Sequence, residues 1–116
     1  MKFTFCALLA LSALFASSAA SAADNAGQPQ KSGQEVYSSV CMACHDSGVL
    51  NAPRIGNKQD WAPRIAQGYN TLVKHALEGF NVMPAKGGAA NLSDQEVAEA
   101  VVYMVNKSGG KFKAPD

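Results

Sequence analysis

Four stretches of the chain place apolar residues at helical spacing, and none alternates apolar and polar residues as a half-buried strand does. The first stretch begins at Ser32, which can form a capping box with Glu35 three residues later. The last begins at Ser93, which has the same relationship to Glu96. These signals predict an all-α domain whose first and last helices have well-defined starts.

One face of each longer helix carries the apolar residues that should be buried. Leu92 and Val97 can also form a hydrophobic staple at the start of the last helix. The apolar faces of the first, third and last helices are, in order, Val36, Tyr37, Val40, Cys41 and Cys44; Leu72, Val73, Ala76 and Leu77; and Val97, Ala100, Val101, Met104 and Val105.

Glycine and proline residues mark the turns between the helices. We expect a short second helix from about Asp60, with Pro63 in its first turn and Gly68 at its end. A third helix is expected to start at Asn70, as its cap, and to stop at Gly79. The chain from there to the last helix is expected to be a loop.

The N-terminal residues have the composition of an export signal. Lys2 precedes about 14 apolar residues, too few to span a bilayer, which needs about 20. Cys6 lies inside this stretch and is expected to leave with it. We predict a cleavable secretory signal at residues 1–23, a flexible lead-in at 24–31 and one domain at 32–116, located in the periplasm.

Charge excludes some classes of partner. Loss of residues 1–23 leaves nine Lys and Arg residues against nine Asp and Glu residues. A chain with balanced charge is not strongly attracted to nucleic acid or to an anionic membrane surface. We therefore expect neither as the main partner.

The run Cys41-Met42-Ala43-Cys44-His45 has the Cys-x-x-Cys-His spacing at which a haem is attached covalently. Two thiols add to the haem vinyl groups, and the adjacent imidazole binds the iron. A redox dithiol would need a thioredoxin-like βαβ context. A zinc site would need a second pair of ligands. Haem attachment therefore explains the run better than either alternative.

The chemistry of such a centre depends on the second axial ligand, opposite His45. Met42 lies between the two cysteines and cannot reach the other haem face, and Met104 belongs to the core face of the last helix. Met83, in the expected loop, is the predicted ligand. His75 is a rival, but its place beside the apolar face of the third helix favours a boundary or surface position.

Six short runs follow one another along the chain: Gly33-x-x-x-Tyr37, Cys41-Met42-Ala43-Cys44-His45, Ala52-Pro53, Trp61-Ala62-Pro63-Arg64, the run from Gly79 through Met83-Pro84-Ala85-Lys86 to Gly88, and Ala100-x-x-Tyr103-Met104. In the order and spacing of these runs the chain resembles a class I cytochrome c, and specifically the bacterial cytochrome c5 family, over nearly all of the expected mature protein. One departure is Arg54, which stands where a lysine is more usual in that family.

The resemblance implies a small cytochrome c fold of about four helices around one covalently attached haem c. The first and last helices would cross at Gly33, and Val36 or Tyr37 would meet Ala100 and Tyr103.

It also implies roles for residues around the haem. Pro53 would accept a hydrogen bond from the ring of His45, and Trp61 and Arg64 would contact a haem propionate, although core packing and a solvated charge explain them equally well. Lys86 is a candidate rim charge for a partner, although a solvated lysine without a partner is an equal alternative.

The function that the resemblance implies is one-electron transfer without catalysis, between transient redox partners such as a quinol–cytochrome c reductase, a terminal oxidase or a periplasmic reductase. Apolar surface near the haem edge would also allow a weak homodimer. Two alternatives remain open: a haem ligand sensor or peroxidase-like enzyme with an open sixth site, and a bound subunit of a reductase or oxidase.

Overall fold

The computed structural model describes residues 29–116, so the predicted signal at 1–23 and most of the lead-in at 24–31 lie outside the described residues. Within the described range the secondary structure is helical, apart from one isolated bridge between Phe80 and Met83. The all-α prediction is confirmed. No helix in this part of the chain is long and apolar enough to cross a membrane.

The first helix is continuous but changes its winding along its length. It consists of α1 (Gly33–Val36), a π-helical segment (Tyr37–Cys41) and α2 (Met42–His45). Ser32 and Glu35 form the predicted capping box, with both reciprocal hydrogen bonds. The π-helical segment, which the apolar pattern did not predict, brings the chain directly to the Cys-x-x-Cys-His run.

Three further helices complete the domain: α3 (Lys58–Ile65), α4 (Tyr69–Glu78) and α5 (Asp94–Lys107). Short 3₁₀ turns occupy Val49–Asn51 and Ala85–Gly88. The Ser93 hydroxyl accepts a hydrogen bond from the Glu96 N–H, which is half of the predicted capping box.

The start of α3 differs from the prediction. Asn57 caps the helix because its side-chain oxygen accepts hydrogen bonds from the backbone N–H groups of Gln59 and Asp60. The helix therefore begins at Lys58, and Pro63 lies inside it rather than in its first turn. Asparagine is one of the favoured capping residues, so Asn57 starts the helix about two residues before the predicted start at Asp60.

The turn between α3 and α4 is also tighter than expected. Gly68 follows the end of α3, and its positive φ of 89° reverses the chain and makes it the residue before α4. The predicted cap at Asn70 is therefore wrong, because that residue is already in the first turn. The predicted end at Gly79 is confirmed, with a φ of 88° there.

The first helix and α5 cross in close contact. A Cβ atom added to Gly33 would overlap with the backbone carbonyl of Glu99. The Tyr37 and Tyr103 rings pack beside this crossing, with centroids 5.5 Å apart. The core around it consists of Val36, Tyr37, Trp61, Leu72, Ala76, Leu92, Val97, Ala100, Val101, Met104 and Val105.

Candidate cofactor and metal site

The Cys-x-x-Cys-His run lies at the end of the first helix. Cys41 closes the π-helical segment and Cys44 lies in α2, and both side chains are half-buried free thiols. Burial raises the pKa of the Cys41 thiol to about 11, because the charged thiolate would lose its hydration. Because both cysteines lie on the first helix, their sulfurs are three residues apart along it, as attachment to two neighbouring vinyl groups requires.

His45 is the last residue of α2 and is 92% buried, with 8% of its surface exposed. Its Nδ1 lies 2.8 Å from the backbone carbonyl of Pro53. A carbonyl can only accept, so Nδ1 carries the proton and Nε2 keeps its lone pair. Burial also lowers the pKa of His45, which favours the neutral ring. These are the properties of a histidine ligand to a metal.

The segment after the run is braced where it supports His45. The Ile55 N–H donates to the His45 carbonyl at 2.8 Å, and the Gly56 N–H donates to the Ser108 hydroxyl at 2.9 Å. The Ser108 hydroxyl in turn donates to the Met104 carbonyl. The segment is thus tied to both the first and the last helix.

The structure gives Trp61 and Arg64 definite partners within the chain. Trp61 is almost fully buried, lies 5.9 Å from the His45 ring between centroids, and donates its indole N–H to the Arg54 carbonyl at 2.9 Å. Arg64 donates from one guanidinium nitrogen to the Asp60 carbonyl. Trp61 therefore packs against the His45 ring in this structure. The contacts of Trp61 and Arg64 with a haem propionate stay predictions.

An ion pair on the same segment was not anticipated from the sequence. Arg54 Nε lies 2.9 Å from Asp60 Oδ2, and the Arg54 backbone N–H donates to the same oxygen. These contacts hold the pKa of the Asp60 carboxyl below its usual value. The signal available in the sequence was the spacing of six residues between opposite charges around a helix start.

Met83 lies on the loop between α4 and α5. Its side chain is half-buried against the core cluster, and its backbone exchanges two hydrogen bonds with Phe80, at 3.0 and 2.9 Å. Met104 is 3% exposed within the core, and Met42 is 45% exposed, so neither competes for the same place. Met83 is the described methionine that is neither core nor open surface.

His75, the rival ligand, is a half-buried boundary residue on α4. Its ring stacks on Phe80, with centroids 3.9 Å apart and planes inclined by 15°. The ring is therefore engaged by an aromatic side chain of the loop.

Lys86 has partners within the chain. Its ammonium donates to the Leu92 carbonyl at 2.7 Å and lies 3.1 Å from Asp94 Oδ1. Only 23% of its side chain is exposed. The alternative of a solvated lysine without a partner is therefore wrong, because its donors are directed at the start of α5, and a role as a rim charge stays a prediction.

The side chains fit a covalently attached haem. They supply two thiols, a neutral histidine with a free Nε2 and a thioether on a separate loop. In the described residues no three His, Cys, Asp or Glu side chains cluster as a metal site of their own. The core also leaves several apolar side chains incompletely buried, as a site for an apolar macrocycle requires, and they include Val40, Ile55, Ile65, Val73, Leu77 and Ala89.

Comparison with known proteins agrees with this fit. A family model described as cytochrome c oxidase, cbb3-type, subunit III matches residues 28–104, more than half of the chain. The helical fold, the attachment run and this match define one class, and the chain belongs to the class I c-type cytochromes.

Individual relatives narrow the comparison to small monohaem members of that class. The chain is 49% identical over 80 residues to cytochrome c-555 of Chlorobaculum tepidum, an alignment covering 66% of this chain and 74% of the relative. It is 39% identical over 80 residues to cytochrome c5 of Azotobacter vinelandii, covering 67% and 96%. The resemblance to the c5 family is thereby confirmed.

Solved structures show the same fold. A cytochrome c in an electron transfer complex with nitrite reductase is 42% identical, covers 70% of this chain and 99% of its own, and has a TM-score of 0.64. A mono-heme ferrocytochrome c from Shewanella putrefaciens is 33% identical with the same coverage and a TM-score of 0.60. The protein has one covalently attached haem c, and Cys41 and Cys44 fit its attachment motif.

Proposed function

We propose that the protein is a periplasmic one-electron carrier in which His45 and Met83 are the axial ligands of the haem iron. When bound, the haem supplies an iron that alternates between Fe(II) and Fe(III). The single observation that carries the proposal is that the chain has two candidate ligands on separate segments. His45 is buried, with its Nδ1 hydrogen-bonded, and Met83 is half-buried on a loop.

The chain's contribution on the histidine side is orientation. The Pro53 carbonyl holds the proton on Nδ1 and directs Nε2 away from the supporting segment. Hydrogen bonding of this kind fixes the ring plane and raises the basicity of the ligand nitrogen. Trp61 packs beside the ring and restricts its rotation.

The contribution on the methionine side is a soft thioether in an apolar setting. A thioether favours the reduced metal, and burial among apolar side chains disfavours an additional positive charge. Both effects support a reduction potential above that of a centre with two histidine ligands. A helical frame tied at several points also needs little rearrangement when the charge changes.

A transient redox protein is the partner class we propose. A structural relative forms an electron transfer complex with nitrite reductase, which supports a reductase as one partner. Exposed apolar side chains at Leu50, Phe80 and Val82 suit brief docking without strong steering by charge. A quinol–cytochrome c reductase or a terminal oxidase would serve as the other partner, and a weak homodimer is compatible with the same surface.

The name of the matching family model favours a second candidate, a bound subunit of an oxidase. The two candidates differ in how the protein is recovered. A soluble carrier would be released with the periplasmic fraction as a free small protein. A bound subunit would instead co-purify with a detergent-solubilised complex.

The ligation is tested by absorption spectra of the purified holo-protein, oxidised and reduced, with and without carbon monoxide. We expect a low-spin c-type spectrum with the ferric methionine charge-transfer band and no change with carbon monoxide. A Met42→Leu control should retain the spectrum, and Met83→Leu should lose the band. A high-spin wild-type spectrum that shifts with carbon monoxide would contradict the proposal and favour a sensor or peroxidase-like enzyme.

A further inference from the structure

The two sides of the Met83 loop are held in different ways. On the side facing α4, the chain is closed by the paired backbone hydrogen bonds between Phe80 and Met83. Gly79 precedes this bridge, and a Cβ there would lie 3.0 Å from the Met83 carbonyl oxygen. This side is therefore held by backbone contacts and by the stacking of Phe80 on His75.

The side facing α5 has a less regular backbone. Pro84 is extended, with ψ at 156°, and the 3₁₀ turn Ala85–Gly88 contains three residues with positive φ: Lys86 at 54°, Gly87 at 63° and Gly88 at 88°. A lysine rarely adopts this left-handed conformation, which favours glycine. The turn has backbone hydrogen bonds of its own, and a side-chain contact adds to them.

The Lys86 side chain supplies that contact. Its ammonium donates to the carbonyl of Leu92 at 2.7 Å, and the pair with Asp94 adds a second contact at 3.1 Å. Leu92 is 4% exposed and belongs to the core cluster, so the acceptor is on a fixed part of the chain. The left-handed turn at Lys86 and the bond to Leu92 are therefore formed together.

We infer that Lys86 is a positioning residue for Met83, holding the loop so that the sulfur stays directed at the haem iron. This inference rests on the proposed ligation by Met83. The bond between a thioether and ferric iron is weak. The fraction of molecules in which the sulfur is displaced therefore depends on the hydrogen bond from Lys86 to Leu92, here called the tether. The Leu92 bond carries most of the effect, because Asp94 is 76% exposed and an exposed ion pair contributes little.

Lys86→Met tests the inference on the ferric holo-protein. Methionine keeps an unbranched apolar stem and no greater preference for positive φ, but it cannot donate to Leu92. Lys74→Met, at an exposed position on α4, removes the same charge without touching the tether. Azide is the probe, because it binds the iron where the sulfur has left.

We expect Lys86→Met to bind azide about tenfold more tightly than wild type, the effect of losing one hydrogen bond from a charged donor. Its methionine charge-transfer band should weaken in parallel. Lys74→Met should stay within about twofold of wild type, and Asp94→Asn should show at most a few-fold change. If Lys86→Met yields no holo-protein, Lys86→Ala, which also lacks a donor, should show the same tightening.

The spectra and the azide affinities distinguish a failure of the tether from a failure of the proposed ligation. If wild type has the charge-transfer band but the Lys86 variant that loads haem binds azide like Lys74→Met, the tether is refuted and the Met83 ligation stands. If wild type lacks the band, the proposed ligation is wrong and the inference falls with it.

Discussion

The histidine and methionine sides of the site are built from different kinds of structure. His45 ends a capped helix and is supported by Pro53 and by backbone hydrogen bonds that reach the first and last helices. Met83 lies on a loop held by one backbone bridge, one aromatic stack on His75 and one lysine side chain. Under the proposed ligation, the histidine side would determine whether haem is attached, and the methionine side would determine how firmly the thioether stays on the iron.

The largest effect is expected on the histidine side, from replacing both cysteines. The double change Cys41→Ser and Cys44→Ser removes the sulfurs that form the thioether bonds, so covalent haem loading should be lost. The small core should then fold poorly. Haem-stained gels of periplasmic extracts measure the loading, with Ser47→Ala as the exposed control. A normal yield of covalent holo-protein from the double variant would contradict the assignment.

Met83→Ala is expected to leave the haem attached and change its chemistry. Loss of the thioether should lower the reduction potential by on the order of a tenth of a volt or more, since axial ligands span about 0.8 V. Carbon monoxide should bind the reduced protein more readily. Redox titration and carbon monoxide difference spectra measure these effects, with Met42→Ala as the control. An unchanged potential and no carbon monoxide binding would exclude Met83 as the ligand.

Gly33→Ala tests the helical frame separately from the Met83 loop, because the added Cβ affects only the crossing of the first helix with α5. Its added Cβ meets the Glu99 carbonyl, so the free energy of unfolding should fall by about 1–3 kcal/mol. Azide affinity should stay unchanged while the protein remains folded. Gln34→Ala, exposed in the same turn, should change stability by less than about 0.5 kcal/mol. Thermal unfolding compares the two, and equal stability would disprove the close crossing.

The smallest expected effect concerns acid stability near Pro53. The Asp60 pKa is lowered chiefly by the hydrogen bond from the Arg54 side chain. A carboxyl with a lower pKa in the folded protein stabilises it above the unfolded pKa of about 3.9 and loses this contribution as pH falls through the folded pKa. NMR of the reduced protein should show Asp60 titrating below that value, and Arg54→Met should raise its midpoint. An identical midpoint in both proteins would rule out the ion pair.

Most of the helical frame could be predicted because its signals are local. The capping box at Ser32, the glycine that ends α4 and the apolar face of α5 each depend on a few neighbouring residues. The start of α3 was missed because Asn57 competes with Asp60 as a start signal, and a pattern alone does not rank them. The π-helical segment changes the winding without changing which residues are apolar.

The sequence indicated the candidate residues of the site but not the contacts that they make. The attachment run is contiguous, so spacing alone indicated Cys41, Cys44 and His45. The ring contacts of Trp61 and the tether of Lys86 depend on where distant segments meet. Lys86 in particular looked like a surface charge, since nothing local shows that a left-handed turn directs it toward Leu92.

The identity of the sixth ligand is tested most directly by NMR of the reduced holo-protein with methyl-labelled methionine. If the sulfur of a methionine binds the iron, its methyl group would lie over the haem, and the haem ring current would shift the methyl resonance far upfield. We expect one upfield methyl resonance among those of Met42, Met83 and Met104. This resonance should be absent in Met83→Leu and should remain in Met42→Leu. An upfield methyl that persists in Met83→Leu, or no upfield methyl in wild type, would contradict the proposed ligation.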